Sequence, residues 1–175
     1  MEYPKRKPVR LKGYDYSQNG AYFITVCTWE RKCILSDITV GEGLAPPAKY
    51  QLTQVGKLVQ EQLLALEARY PTVQIEKYVI MPNHIHAILQ IREGETGGAS
   101  PSPTLMDAVR VLKSITTRMY HGLGTDSNLW QRSFYDHVIR SDADWREIWE
   151  YIENNPAKWA EDRFYVPDEE AARTT

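Results

Sequence analysis

Only two cysteines occur in the 175 residues, Cys27 and Cys33, and neither belongs to a CxxC pair. A disulfide framework and a cysteine zinc knot are thereby excluded. No apolar stretch approaches the ~18–20 residues needed to span a bilayer. The N-terminal MEYPKRKPVR is basic, but no apolar run follows it, so it does not read as a secretory signal. No Gly-rich phosphate-cradling loop is present. Nor is there a surplus of basic charge: 21 Lys and Arg stand against 23 Asp and Glu, a net of −2. These absences describe a soluble chain in a reducing, cytoplasmic setting, with no nucleotide-triphosphate site and no membrane partner. What is present is ordinary globular material, 42% apolar and 25% charged, and the length suits one domain over residues 1–175.

The net charge conceals an asymmetry. Lys5, Arg6, Lys7, Arg10 and Lys12 make a basic arm of residues 1–13, residues 1–121 carry +4, and residues 122–175 carry −6. A positive body with an acidic end is compatible with a polyanionic partner and equally with a solvated arm. Residues 41–49 and the Gly/Ser/Pro-rich residues 92–103 read as loops, and residues 166–175 as an acidic tail.

Periodicity supplies the elements between the loops. Residues 21–28, 73–81, 84–91 and 134–140 have the aromatic and β-branched content of strands, and Pro82-Asn83 predicts a tight antiparallel hairpin between the second and third. Residues 52–68 and 104–121 carry apolar stripes at helical spacing. The second begins with a Thr104/Asp107 capping box, and Gly122 stands where a left-handed C-terminal residue is wanted. A third helix starts at Ser141, with Trp145, Ile148, Trp149 and Ile152 on one face. The order predicts an α+β, ferredoxin-like βαββαβ unit with a four-stranded antiparallel sheet, plus one C-terminal helix. One sheet face is left for a site or a partner.

The segment YVIMPNHIHAILQI concentrates the chemistry. On a strand His84 and His86 share a face, ~6–7 Å apart along the chain, while Ile85, Ala87, Leu89 and Ile91 face the other way. Two imidazoles so placed can converge on one cation, with further ligands supplied from elsewhere. The plain alternative is one core and one surface histidine. On the third helix Tyr151 lies on the flank of the apolar stripe, and Asn155 follows at i+4 on nearly the same side. An amphipathic edge tyrosine is the plain alternative here.

Together these features resemble the single-tyrosine HUH endonucleases, and most closely the REP-associated tyrosine transposases. The match is carried by Tyr22-Phe-Ile-Thr-Val-Cys-Thr with Arg31 after it, Val79-Ile-Met-Pro-Asn-His-Ile-His, Trp130-Gln-Arg-Ser-Phe-Tyr-Asp-His-Val-Ile-Arg140 and Tyr151-Ile-Glu-Asn-Asn-Pro156, in the family's order. The resemblance implies that His84 and His86 bind a divalent ion, Mg²⁺ or Mn²⁺, with Asn155 as third ligand and Tyr151 as nucleophile. Asn155 precedes Pro156, which pushes it away from helical angles. It further implies a single-stranded DNA substrate that folds into a hairpin, cleaved and rejoined through a 5′-phosphotyrosine, by a monomer or a homodimer.

Such a reaction conserves bond energy and needs no ATP site. Two neutral imidazoles and an amide leave a bound ion strongly positive, and protonation of the imidazoles should release it below about pH 6. DNA contacts are expected from the basic arm, from Arg110 and Lys113 on the second helix, and from Arg132 and Arg140 beside the last strand. Tyr14, Tyr16, Tyr22, Trp130 and Tyr135 are candidates for stacking on bases. His137 reads as structural. The competing readings are a cleavage-inactive single-stranded DNA-binding module and a metal hydrolase acting through water. The last is disfavoured by the lack of an evident carboxylate beside the histidine pair.

Overall fold

A computed structural model describes residues 19–39, 49–92 and 104–167. Its centre is a four-stranded antiparallel sheet of β1 (Gly20–Cys27), β4 (Val73–Met81), β5 (His84–Ile91) and β6 (Tyr135–Ile139), in the order β4-β5-β1-β6. Helices α1 (Gln54–Arg69) and α2 (Leu105–His121) complete two βαβ units, and α3 (Asp142–Asn154) follows β6. The α+β, ferredoxin-like expectation is met. A short hairpin of β2 (Ser36–Thr39) and β3 (Lys49–Leu52) is an addition that the sequence did not announce. Four-residue strands carry too few alternations to register as periodicity.

Alternation along β1 and β5 divides the core in two. Tyr22, Ile24, Val26, Ile85, Ala87, Leu89 and Ile91 face α1 and α2, where they meet Leu58, Val59, Leu63, Leu66, Leu105, Val109 and Leu112. On the opposite face Ala21, Phe23, Cys27, Val79, Met81 and Ile88 pack with Ile152 of α3 and with Trp159 and Phe164. The sheet face left open in the sequence reading is therefore covered by the element that carries Tyr151. Along α3 only Ile152 is fully buried, while Trp145, Ile148 and Trp149 are half-buried against the same cluster.

Local chemistry sets the element ends. Thr104 and Asp107 form the expected reciprocal capping box. Thr53 caps α1 through Gly56 N–H, and Gly56 is required because a Cβ there would overlap the Leu35 carbonyl oxygen. The expectation for Gly122 is corrected. It stays right-handed at φ −61° and bonds back to Arg118, and the left-handed turn falls at Gly124, φ +89°. On α2, Ile115 is only half-buried and Thr116 takes the core position, where its hydroxyl accepts Trp130 Nε1–H at 2.8 Å. That bond and its burial commit Trp130 to structure. Tyr22, fully buried, is likewise a core residue, which removes both from the candidates for base stacking.

Candidate active site

The site is built at the start of β5, immediately after the Pro82-Asn83 turn. Asn83, completely buried, ties three segments together. Its carbonyl accepts from the backbone and hydroxyl of Thr28, its Nδ2 donates to Phe164 O at 2.8 Å, and its Oδ1 accepts from His84 Nδ1 at 2.9 Å. His86 Nδ1 lies 2.9 Å from Thr25 Oγ1, and the His86 ring also hydrogen-bonds the Ile24 backbone. In the tautomer with both Nδ1 positions protonated, the two Nε2 lone pairs point at one another across 3.0 Å.

Two facing lone pairs at that distance repel unless a proton or a cation lies between them. A proton is disfavoured. Burial, the neighbouring imidazole and the charges of Arg31 and Arg163 hold His84 well below the usual range, and burial and Arg163 lower His86 to about 3. A divalent cation fits instead. Two adjacent positions on an octahedral ion with ~2.1 Å bonds are separated by ~3.0 Å. That tautomer, with each Nδ1 facing a hydrogen-bond partner, is the one a metal-binding histidine needs.

Tyr151, 40% exposed, leans from α3 over this pair. Its Oη lies 3.1 Å from His86 Nε2, and its ring stands edge-on to Phe23 and His86. Burial, and then the Asp162 carboxylate, push the Tyr151 hydroxyl above its ordinary pKa, so it is protonated at neutral pH.

Asn155 is buried and keeps helical angles, φ −57° and ψ −43°, despite Pro156. The expected departure from helix does not occur, because Pro156 itself opens a 3₁₀ turn, Pro156–Glu161, that continues the right-handed path. Asn155 Nδ2 donates to Asp162 Oδ2 at 3.1 Å, while its Oδ1 is buried with no partner. An orphaned carbonyl oxygen at this place is consistent with a ligand awaiting a cation.

Asp162 is the residue that sequence reasoning missed. The 3₁₀ turn doubles the chain back, so that one ligand atom each from His84, His86 and Asp162 lies within 4.8 Å of the others. Its Oδ1 accepts Phe164 N–H at 2.6 Å, and Tyr151 Oη is 3.5 Å from Oδ2. The expectation of no carboxylate beside the histidines is thus corrected. The only available signal was its place seven residues after Asn155, and no periodicity spans a reversal of that kind.

The proposed DNA-binding residues divide. Lys5, Arg6, Lys7, Arg10 and Lys12, with Tyr14 and Tyr16, lie outside the described residues. Arg110, Lys113 and Arg132 line one cavity of about 370 Å³ with Met106, Val109 and Phe134. Within it Arg110 pairs with Asp107 at 2.7 Å, and Lys113 Nζ is spent on the carbonyls of Gln131 and Arg132. Arg132 and Arg140 are exposed, and Tyr135 is 43% exposed. His137 bonds Asp144 of α3 at 2.9 Å, in keeping with a structural role.

The depressed histidine pKa values move the acid sensitivity of the metal-free protein. Both groups bind protons more readily when unfolded, near 6.5, so stability is complete above that value and falls as pH drops toward about 3. Between pH 6.5 and 5, above the carboxylate range, unfolding by urea in EDTA should lose about 2–4 kcal/mol. A flat profile over that window would show that the imidazoles are not buried in neutral form. Release of a bound ion through imidazole protonation accordingly shifts below the pH 6 expected from unperturbed histidines.

No family model matches the chain. An uncharacterized protein of Haemophilus influenzae is 32% identical over 92% of this chain and 93% of its own length. A REP-associated tyrosine transposase of Escherichia coli K12 is 25% identical over 82% of this chain and 70% of that protein. The solved structure of a REP-associated tyrosine transposase bound to a REP hairpin superposes with a TM-score of 0.58 at 24% identity, over 85% of this chain and 73% of that one. Among the described residues no helix is long and apolar enough to cross a membrane. The paired histidines on the sheet, the tyrosine on the helix laid over them and these likenesses agree, and the chain is similar to the REP-associated tyrosine transposases in sequence and in fold.

Proposed function

We propose that this chain cleaves and rejoins single-stranded, hairpin-forming DNA through a covalent 5′-phosphotyrosine on Tyr151. The observation that supports it most is the 3.1 Å approach of Tyr151 Oη to His86 Nε2, beside a buried group of two imidazoles and a carboxylate. The neighbour solved with a REP hairpin supports hairpin DNA as the substrate class. His84, His86 and Asp162, with Asn155 Oδ1 as the original candidate for third ligand, would hold Mg²⁺ or Mn²⁺. When bound, the ion supplies Lewis-acid polarisation and charge neutralisation at the scissile phosphate.

The chain's own groups do the rest. Tyr151 Oη attacks phosphorus, and its proton passes to the Asp162 carboxylate 3.5 Å away. The P–O3′ bond breaks as the P–Oη bond forms, and the departing 3′ oxygen takes up a proton from solvent, to which Asp162 returns the one it received, and becomes a free hydroxyl. Attack by a 3′-hydroxyl on the phosphotyrosine reverses the step and joins strands, returning the phenol. Phe23, stacked on His86 at 5.1 Å, and Phe164, tilted against His84 at 4.7 Å, keep water from the imidazoles.

Polarity gives the direct test. With Mn²⁺ and a hairpin-bearing single strand, label at the 3′ end should become covalently attached to protein on a denaturing gel, and label at the 5′ end should be released with a 3′-hydroxyl. The opposite distribution would overturn the 5′-phosphotyrosine. Asp162 also gives substance to one rival, hydrolysis by water with Asp162 as base, which releases both labels free of protein.

A further inference from the structure

Two cavities flank Tyr151 and the histidine pair, and their charges are opposite. One, of about 420 Å³, opens beside Tyr151 and is lined by Glu147, Glu150, Glu161 and Asp162, with Lys158 as its one cation among the described residues. The other, of about 370 Å³, lies on the β6 side and contains Arg31 and Arg163 but no acidic residue among those described. An anionic strand approaching the site is repelled from the first and drawn to the second.

From this arrangement we infer that the Arg31–Arg163–Tyr135 cavity is the subsite for the nucleotide adjoining the scissile phosphate, the guanidinium groups taking its phosphate and the Tyr135 ring its base. The inference rests on the single-strand cleavage reading of the preceding subsection and deepens it.

Sheet register places the cavity where such a nucleotide has to lie. His86 pairs with Thr25, and Thr25 with Tyr135, so the three side chains stand in one row on one face. Tyr135 is two strand spacings from His86, ~10 Å across the sheet. The cavity shares its walls with the histidine site: Thr25 bonds His86, and the Phe164 ring lies tilted against His84 at 4.7 Å.

The cations are positioned rather than loose. Arg31 lies over the Phe164 ring at 4.1 Å and Arg163 over the same ring at 4.4 Å, with Arg163 also 5.9 Å from the Tyr135 ring. Neither guanidinium makes a salt bridge among the described residues, so both keep donors for a phosphate. Arg31 is held in place at the expense of backbone strain. Glu30 and Arg31 are the only non-glycine residues at positive φ among those described, +53° and +58°. Strained, consecutive left-handed residues beside a site mark a side chain whose direction is constrained. Tyr135, with 43% exposure, leaves a ring face for stacking. The volume is within the range of small-molecule sites, about 300–1,000 Å³.

The test is binding of fluorescein-labelled hexathymidylate to the full-length protein in EDTA, by anisotropy, with an abasic hexamer of the same backbone as second probe. Arg163→Gln and Arg31→Gln should each weaken both probes about fivefold or more and reduce the salt slope. Tyr135→Leu should weaken hexathymidylate about tenfold and leave the abasic probe unchanged, whereas Tyr135→Phe retains binding. Arg163 and Tyr135 are exposed, so these variants keep the fold, and unchanged thermal melting verifies it. Wild-type affinity in the Arg163→Gln and Tyr135→Leu proteins overturns the subsite. Equal loss of both probes in Tyr135→Leu overturns the base contact. A parallel Tyr151→Phe protein separates the two proposals. If it still forms an adduct while Arg163→Gln loses hexathymidylate, the tyrosine reading fails and the subsite stands; the reverse pattern removes the subsite alone.

Discussion

Tyr151→Phe should abolish the covalent protein–DNA adduct and lower strand cleavage by about four orders of magnitude or more, the scale expected when a nucleophile is deleted. The substitution is nearly silent for the fold. The ring contacts with Phe23 and His86 persist, and only the hydroxyl bonds to His86 Nε2 and Asp162 are lost. Divalent-ion affinity should therefore stay within a few-fold of wild type. That combination distinguishes a missing nucleophile from a damaged metal site, which His84→Ala would produce by removing both affinity and cleavage. Cleavage that survives in Tyr151→Phe but vanishes in His84→Ala would instead establish hydrolysis by water. If neither the wild type nor the variant cleaves while both bind hairpin DNA equally, the chain is a binding module derived from a transposase.

The parts of this site that repeat with a period were legible in the sequence. Two-residue alternation put His84 and His86 on one face of β5 and Ile85, Ala87, Leu89 and Ile91 on the other, and the packing agrees. Helical spacing put Tyr151 on the flank of α3, the position from which its hydroxyl reaches the sheet. What was hidden depends on chain reversals and on contacts distant in sequence. Asp162 arrives through a 3₁₀ turn with no repeating pattern, and Arg163 comes with it. Pairing of β2 with β3 is too short to show as alternation. The left-handed turn after α2 moved from Gly122 to Gly124 because the helix tightens first, with successive backbone bonds from Gly122, Leu123 and Gly124. Asn83 looked like a turn residue and is one, yet its burial and its bonds to His84 and Phe164 make it the clamp between the histidines and the Asp162 segment. Net charge alone hid one feature of the site. A net of −2 averages over charges that are sorted near the site into an acidic cavity and a cationic one.

Asp162→Asn should have the second largest effect. Asp162 has two possible tasks, holding the ion with the imidazoles and receiving the Tyr151 proton, and the amide fails at both. Loss of the charge should weaken Mn²⁺ binding about 10–100-fold, measured by isothermal titration. At saturating Mn²⁺, adduct formation should still be slower by about 10²–10³-fold, the share of a general base. The fold should tolerate the change. The side-chain oxygen retained by asparagine still accepts Phe164 N–H, and Asn155 can turn its amide so that its unpartnered Oδ1 accepts from the new Nδ2. The phenol provides an independent readout with a definite sign. The Asp162 carboxylate raises the Tyr151 pKa, so its neutralisation must lower that pKa, visible in an ultraviolet titration of the metal-free protein. A carboxylate that did nothing but oppose phenolate formation would, when removed, make the enzyme faster. A slower Asp162→Asn enzyme with a more acidic Tyr151 therefore requires Asp162 to act on the reaction itself, and a faster one would exclude it as ligand and as base.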